Sequence, residues 1–247
     1  MIRRAFILLI LAALITAFIQ SQNNDIIYYA SLNHAIHEGQ FDGVITVNKL
    51  KTLGDFGLGS EEKLAGELII LNNEFYSIPS DSNARKMKSN DKLTFASVKK
   101  FKPDTTLKIT NITDIKSLHA LLSRIIHTNS FSAIQIHAKF KTVDFRSFVK
   151  QEKPYKPVDE VQEIKFKRAD IEGTVVGFYT PKSAEVLNSP NYHFHFIDKD
   201  KKTGGHILDC SIVEGRIEVD VAQELHIILP QQENVEHINL NKPLQPK

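Results

Sequence analysis

The chain has 247 residues, 42% hydrophobic and 24% charged, which is the balance of an ordinary globular protein with length for one large domain or two small ones. Its 31 basic and 29 acidic side chains leave a formal charge of +2. So small a surplus supplies no basic footprint, which argues against nucleic acid as a partner.

Arg3 and Arg4 precede an uninterrupted apolar and small run over residues 5–19, which ends in Gln20-Ser21-Gln22. A basic start, a short apolar core and a polar exit form the layout of a secretory leader. The run is shorter than the roughly 20 residues that cross a bilayer. Residues 1–21 are therefore expected to be a signal peptide, and the protein to be exported, periplasmic or secreted. A cut after Ser21 would place Ile19 where a small residue is usual, so an uncleaved N-terminal anchor is the alternative. Cys210 is the only cysteine, so the chain forms no internal disulfide, and its strand-like setting reads as a buried small side chain.

Residues 31–38 read as a short helix stopped by Gly39, and 46–53 as another, capped by Thr46 and closed by Gly54. A glycine-rich turn, Asp55-Phe-Gly-Leu-Gly59, follows. Strands at 64–71 and 74–78 flank Asn72-Asn73 as a hairpin. Residues 80–91 read as a loop, and 95–101 and 106–110 as further strands. Residues 113–127 form the best helix, with Ile115, Leu118, Leu122, Ile125 and Ile126 at helical spacing. His119 and His127 sit on it singly and read as satisfied or exposed. Residues 131–140 alternate as a half-buried strand with His137 on its polar face, read as solvated. Pro154 and Pro157 mark 151–157 as the internal boundary. Beyond it come strands at 163–167, 174–180, 191–197, 206–213, 216–219 and 225–229. The fold class is thus α+β, with a mixed-sheet α/β N-terminal half at 22–150 and an antiparallel β-rich C-terminal half at 151–247 that carries the metal site.

The chemistry concentrates in Tyr192-His-Phe-His-Phe-Ile197, the charged stretch 198–205 ending in Gly-Gly, and His206-Ile-Leu-Asp209. Residues two apart in a strand share a face, about 6–7 Å from one another. His193 and His195 therefore point one way, with Phe194 and Phe196 the other. If 198–205 reverse the chain, His206 opens the return strand and completes a three-imidazole face. Three neutral imidazoles suit a borderline metal such as zinc, and three protein nitrogens leave a position for substrate. The bland alternative for the His-x-His pair is an ordinary polar strand face.

Arg146 lies in an alternating run over 141–148 and reads either as a two-pronged clamp on a carboxylate or as a surface ion pair. Glu67 opens an apolar strand and reads either as a general acid or base or as a strand-edge charge.

The motifs Asp55-Phe-Gly-Leu-Gly59, Gly66-Glu-Leu68, Gln151-Glu-Lys-Pro-Tyr155, Glu172-Gly-Thr-Val-Val-Gly-Phe-Tyr-Thr-Pro181, Tyr192-His-Phe-His-Phe-Ile197 and Gly204-Gly-His-Ile-Leu-Asp209 stand in one order. In that order and spacing the chain resembles alpha-acetolactate decarboxylase, from about Tyr28 to Pro230. The resemblance implies a zinc carboxy-lyase that converts (S)-2-acetolactate to (R)-acetoin and carbon dioxide. It implies zinc on His193, His195 and His206, with the metal acting as Lewis acid on the chelated hydroxy-ketone. It further implies Arg146 and Glu67 as catalytic groups, Ser60 as a substrate-side hydroxyl, and a homodimer through the N-terminal sheet. Members continue beyond the equivalent of Leu229-Pro230 into a helical tail bearing another active-site glutamate. Glu233 and Glu236 both stand too close to Pro230 to match it. The alternatives are a zinc lyase or hydratase of another small hydroxy or keto acid, and an exported metal-binding protein.

Overall fold

The computed structural model describes residues 25–241, so the leader expected at 1–21 lies outside the described residues. In chain order the strands are β1 Ile26–Ala30, β2 Ile45–Thr46, β3 Phe56–Glu61, β4 Glu67–Leu71, β5 Glu74–Ile78, β6 Arg85–Lys86 and β7 Lys92–Lys99, followed by β8 Thr105–Ile112, β9 Phe131–Phe148, β10 Glu163–Thr180, β11 Asn191–Asp198, β12 Gly204–Ala222 and β13 Glu224–Ile228. The helices are short: α1 Asn33–His37, α2 Val47–Leu50, α3 Ile115–Leu122 and α4 Gln232–Val235. The architecture is α+β.

The strands form two sheets. The first runs β13-β1-β7-β3-β4-β5-β6, with β2 attached to β7. It is mixed, because β13 returns from the far end of the chain to pair parallel with β1 while the other neighbours are antiparallel. The second runs β11-β10-β9-β12-β8. There β12 also pairs with β11 over His195 to Ile197, so this sheet curls back on itself at one end.

The apolar faces dictate this stacking. Ile27, Tyr29, Phe56, Leu58 and Ile69 of the first sheet pack against Val176, Phe178 and Ile197 of the second. On the second sheet, Phe140, Phe145 and Phe196 are fully buried and ring-packed, with Leu118 and Leu122 of α3 in the same cluster. Each such side chain contributes roughly 1.5–3 kcal/mol by leaving water. The other face of the first sheet packs Phe75, Val98 and Leu50.

Several expectations change. The stretch Asp55–Gly59 is no turn: its residues 56–59 belong to β3, in the middle of the first sheet. Glycine there serves close approach, since a Cβ on Gly59 would lie 2.1 Å from the Phe95 carbonyl oxygen. The strand read from residue 64 starts at Glu67, because Glu62–Leu64 form a 3-10 turn with Lys63 and Leu64 at positive φ. The loop at 80–91 contains the short strand β6, and a strand absent from the sequence expectations, β1, precedes the first helix. The helix expected over 113–127 is helical at Ile115–Leu122, capped by the Asp114 carboxylate accepting from the Ser117 amide at 2.7 Å.

The strands read in pieces at 163–167 and 174–180 are one strand, as are those at 206–213 and 216–219. Their alternation is broken locally by Asp170 at φ 50° and by bulges near Leu208 and Val213. The proline segment 151–157 joins β9 to β10, which are neighbours in the second sheet. His137 is not merely solvated, because its Nδ1 lies 3.1 Å from Thr174 Oγ1. Cys210 is buried, and burial pushes its thiol up to about 12.

Gly59→Ala should lower stability by about 3 kcal/mol or more, because backbone must move to admit the methyl group. In a thermal melt this is a fall on the order of 10 °C. A midpoint within 2 °C or so of the parent would contradict the close-approach account.

Candidate active site

β11 places its side chains with a period of two, so His193 and His195 leave one face while Phe194 and Phe196 enter the core. The hairpin to β12 pairs His195 directly with His206. One strand further, His206 pairs with Arg146 of β9. A single cross-strand row thus carries His195, His206 and Arg146. Gly205 makes the crossing feasible: it adopts φ 149°, and a Cβ there would sit 2.5 Å from the Arg146 carbonyl oxygen.

The three imidazoles meet. Their ring centroids are 5.0, 4.9 and 5.3 Å apart, and one nitrogen from each lies within 4.8 Å of the others. Two of the rings are braced from behind. His193 Nδ1 lies 2.8 Å from Oδ1 of the fully buried Asn188, and His195 Nδ1 lies 2.8 Å from the Leu68 carbonyl oxygen. A carbonyl only accepts, so His195 Nδ1 carries the proton and its Nε2 presents a lone pair. Burial pushes the His195 imidazole down to about 3, so it is neutral at ordinary pH. Its Nε2 is buried without a hydrogen-bond partner. An orphaned basic nitrogen beside two further imidazoles fits a divalent cation, and the all-nitrogen donor set suits zinc.

The first sheet supplies the opposite wall. Glu67 opens β4 directly opposite Ser60 of β3, so both side chains lie on one face. Glu67 Oε1 accepts from Arg146 Nη1 at 2.5 Å, and its Oε2 lies 3.5 Å from His195 Nε2. Burial pushes the Glu67 carboxyl up to about 7, with the Arg146 guanidinium opposing the rise. Arg146 also stacks over the Phe148 ring, 4.0 Å from its centroid, and its Nε lies 3.2 Å from Glu163 Oε2. Neither Arg146 nor Glu67 is thus an exposed strand-edge charge.

These groups border a cavity of about 470 Å³. His193, His195, His206, Arg146, Glu67 and Ser60, all singled out from the sequence, line it, with Leu64, Phe95, Phe148 and Val158 as apolar walls. His119, His127 and His137 do not. His119 instead stacks on Tyr192 at 4.6 Å. Glu233 and Glu236 are exposed and do not line the cavity either. Sequence reading missed Asn188, Glu163 and the Leu68 carbonyl. No motif marks them, since each matters only through a contact with a residue distant in the chain.

The chain is similar to known proteins along most of its length. The family model for alpha-acetolactate decarboxylase matches residues 27–242. An alpha-acetolactate decarboxylase of Brevibacillus brevis is 34% identical over 222 residues, covering 89% of this chain and 78% of that protein. One of Bacillus subtilis strain 168 is 34% identical over 220 residues, covering 88% and 86%. The crystal structure of alpha-acetolactate decarboxylase from Bacillus subtilis strain 168 superposes with a TM-score of 0.85 at 32% identity, covering 88% of this chain and 94% of that one.

His195→Ala should abolish stoichiometric metal in the purified protein. Asn188→Ala should retain the fold and weaken metal affinity about 10- to 100-fold. Elemental analysis and chelator competition read both. Full metal retention by His195→Ala would remove the triad from metal binding.

Proposed function

The chain belongs to the alpha-acetolactate decarboxylase family and is a carboxy-lyase, and on that premise we propose that it converts (S)-2-acetolactate to (R)-acetoin and carbon dioxide with zinc held by His193, His195 and His206. The observation that carries the reading is the meeting of the three imidazoles with the Arg146–Glu67 pair in one cavity. When bound, the metal supplies a Lewis acid that stabilises negative charge developing on substrate oxygen, an effect of several kcal/mol.

The chain's own residues supply the rest. Acetolactate carries its carboxylate on the carbon beside a ketone, so the electron pair released with carbon dioxide flows into that ketone. Arg146 holds the departing carboxylate and sets its angle to the carbonyl plane, as a guanidinium fork does well. The carbon left behind must then gain a proton. Glu67, poised near neutrality, mediates that transfer and delivers the proton from one side. Ser60 offers a hydroxyl on the same wall to orient a substrate oxygen. Leu64, Phe95 and Phe148 limit water around the anion while it lasts.

Acetoin and carbon dioxide should form from racemic acetolactate, stop on chelation and resume with zinc. Arg146→Ala should lower kcat/KM by at least about 100-fold with metal retained. Glu67→Gln should lower kcat by about 100-fold or more and erode the enantiomeric purity of acetoin. Metal bound without any turnover would overturn the decarboxylase reading.

The proposal extends to a homodimer through the first sheet. Its outer strand β13 leaves Ile227 44% exposed and Leu229 just beyond it 65% exposed. Light scattering should return twice the chain mass, and a monomer at micromolar concentration would count against it. Export through residues 1–21 belongs to the same proposal, and recovery of full-length chain from the cytoplasm alone would refute it.

A further inference from the structure

Arg146 borders the cavity in the same cross-strand row as His195 and His206, and its grip depends on how its plane is set. A guanidinium held at one nitrogen swivels about that bond. Held at two, it presents a fixed edge. Glu67 takes Nη1, and the ring of Phe148 supports one face. The second contact is an ion pair with Glu163, whose Oε2 lies 3.2 Å from Arg146 Nε. The closest approaches to the two carboxylates are made by Nη1 and Nε, which leaves Nη2 as the nitrogen not engaged in either, and Arg146 borders the cavity.

The register explains why Glu163 can reach. It stands on β10 directly opposite Phe148, so it shares a sheet face with Phe148 and with Arg146 two residues earlier. Lys165, which pairs opposite Arg146, lies 3.0 Å from Glu163 Oε1 and leaves Oε2 for the arginine. Glu163 itself does not border the cavity. Its influence on substrate therefore passes through its neighbours, by its contact with Arg146 and by its negative charge near Glu67.

We propose that Glu163 is a positioning residue for decarboxylation: by holding Arg146 at Nε, it fixes the guanidinium so that its free Nη edge meets the substrate carboxylate. This rests on the role given to Arg146 above. The residue that orients the clamp sits outside the cavity, on the strand that shares its sheet.

The test is a double-mutant cycle in acetoin formation, with metal content and melting temperature measured alongside. Glu163→Ala should lower kcat/KM about tenfold, chiefly through a raised KM. Metal content and melting temperature should stay at parental values. Glu163→Gln keeps an oxygen for Nε and should recover to within about threefold of the parent. In the Arg146→Lys background, where no Nε fork remains, Glu163→Ala should add no further loss. The proposal is overturned if Glu163→Ala stays within about twofold of the parent, or if its loss tracks loss of metal or fold. It is equally overturned if Gln is as damaging as Ala, or if the Glu163 and Arg146 effects multiply independently. The unmodified protein, assayed in the same series, separates this from the functional reading. No acetoin from it refutes the decarboxylase assignment, whereas an active parent with independent variants refutes only Glu163.

Discussion

Two consecutive residues of β4 tie the two sheets together at the site. The Glu67 side chain reaches Arg146 on β9, and the next carbonyl, Leu68, takes the Nδ1 proton of His195 on β11. Both strands belong to the second sheet, while β4 belongs to the first. Side chains alternate along a strand, so a slip of one residue in β4 would turn Glu67 away and offer a different carbonyl. The hydrophobic packing of Ile69 and Leu71 against the second sheet guards that register. The core thereby determines chemistry, because it decides which carboxylate lies beside the histidines.

The row His195, His206 and Arg146 is the complementary constraint within the second sheet. It exists only where β12 leaves β11 for β9, at the curled end of the sheet. Adjacent strands lie about 4.8 Å apart, which is a workable spacing for imidazoles that share an ion. Elsewhere on the sheet, His137 lies beside Thr174 and Gln135.

This division explains what was legible in the sequence. His193, His195 and His206 were readable because their meeting depends on local facts, a period of two and one hairpin. Their apolar partners Phe194 and Phe196 followed from the same period. Arg146 and Glu67 were readable as candidates but not as a pair, since 79 residues separate them. The glycines of β3 read as a turn because loss of side chains looks alike whether it serves a bend or a close approach. The 19-residue strand read as fragments because its bulges shift the alternation, and the 18-residue strand because Asp170, at φ 50°, interrupts it. Asn188 and Glu163 carried no signal, for their roles are defined wholly by the residue each one holds.

A comparison within the molecule shows what burial alone does and does not achieve. Lys99 of β7 and Asp220 of β12 form a second ion pair between the sheets, 3.0 Å apart and almost fully buried. Burial pushes Asp220 up to about 6, much as it pushes Glu67 up to about 7. Both pairs carry the desolvation cost of buried charge, and removing one partner of such a pair typically costs about 3–5 kcal/mol. Yet neither Lys99 nor Asp220 borders the cavity. A perturbed carboxyl sealed in a core has nothing to exchange protons with, so it can only serve structure. Glu67 differs in its surroundings rather than its acidity: it faces an open volume, lies 3.5 Å from an imidazole nitrogen that has no hydrogen bond, and shares its cation with Glu163. The same physical device becomes chemically useful only where the two sheets part enough to admit a substrate.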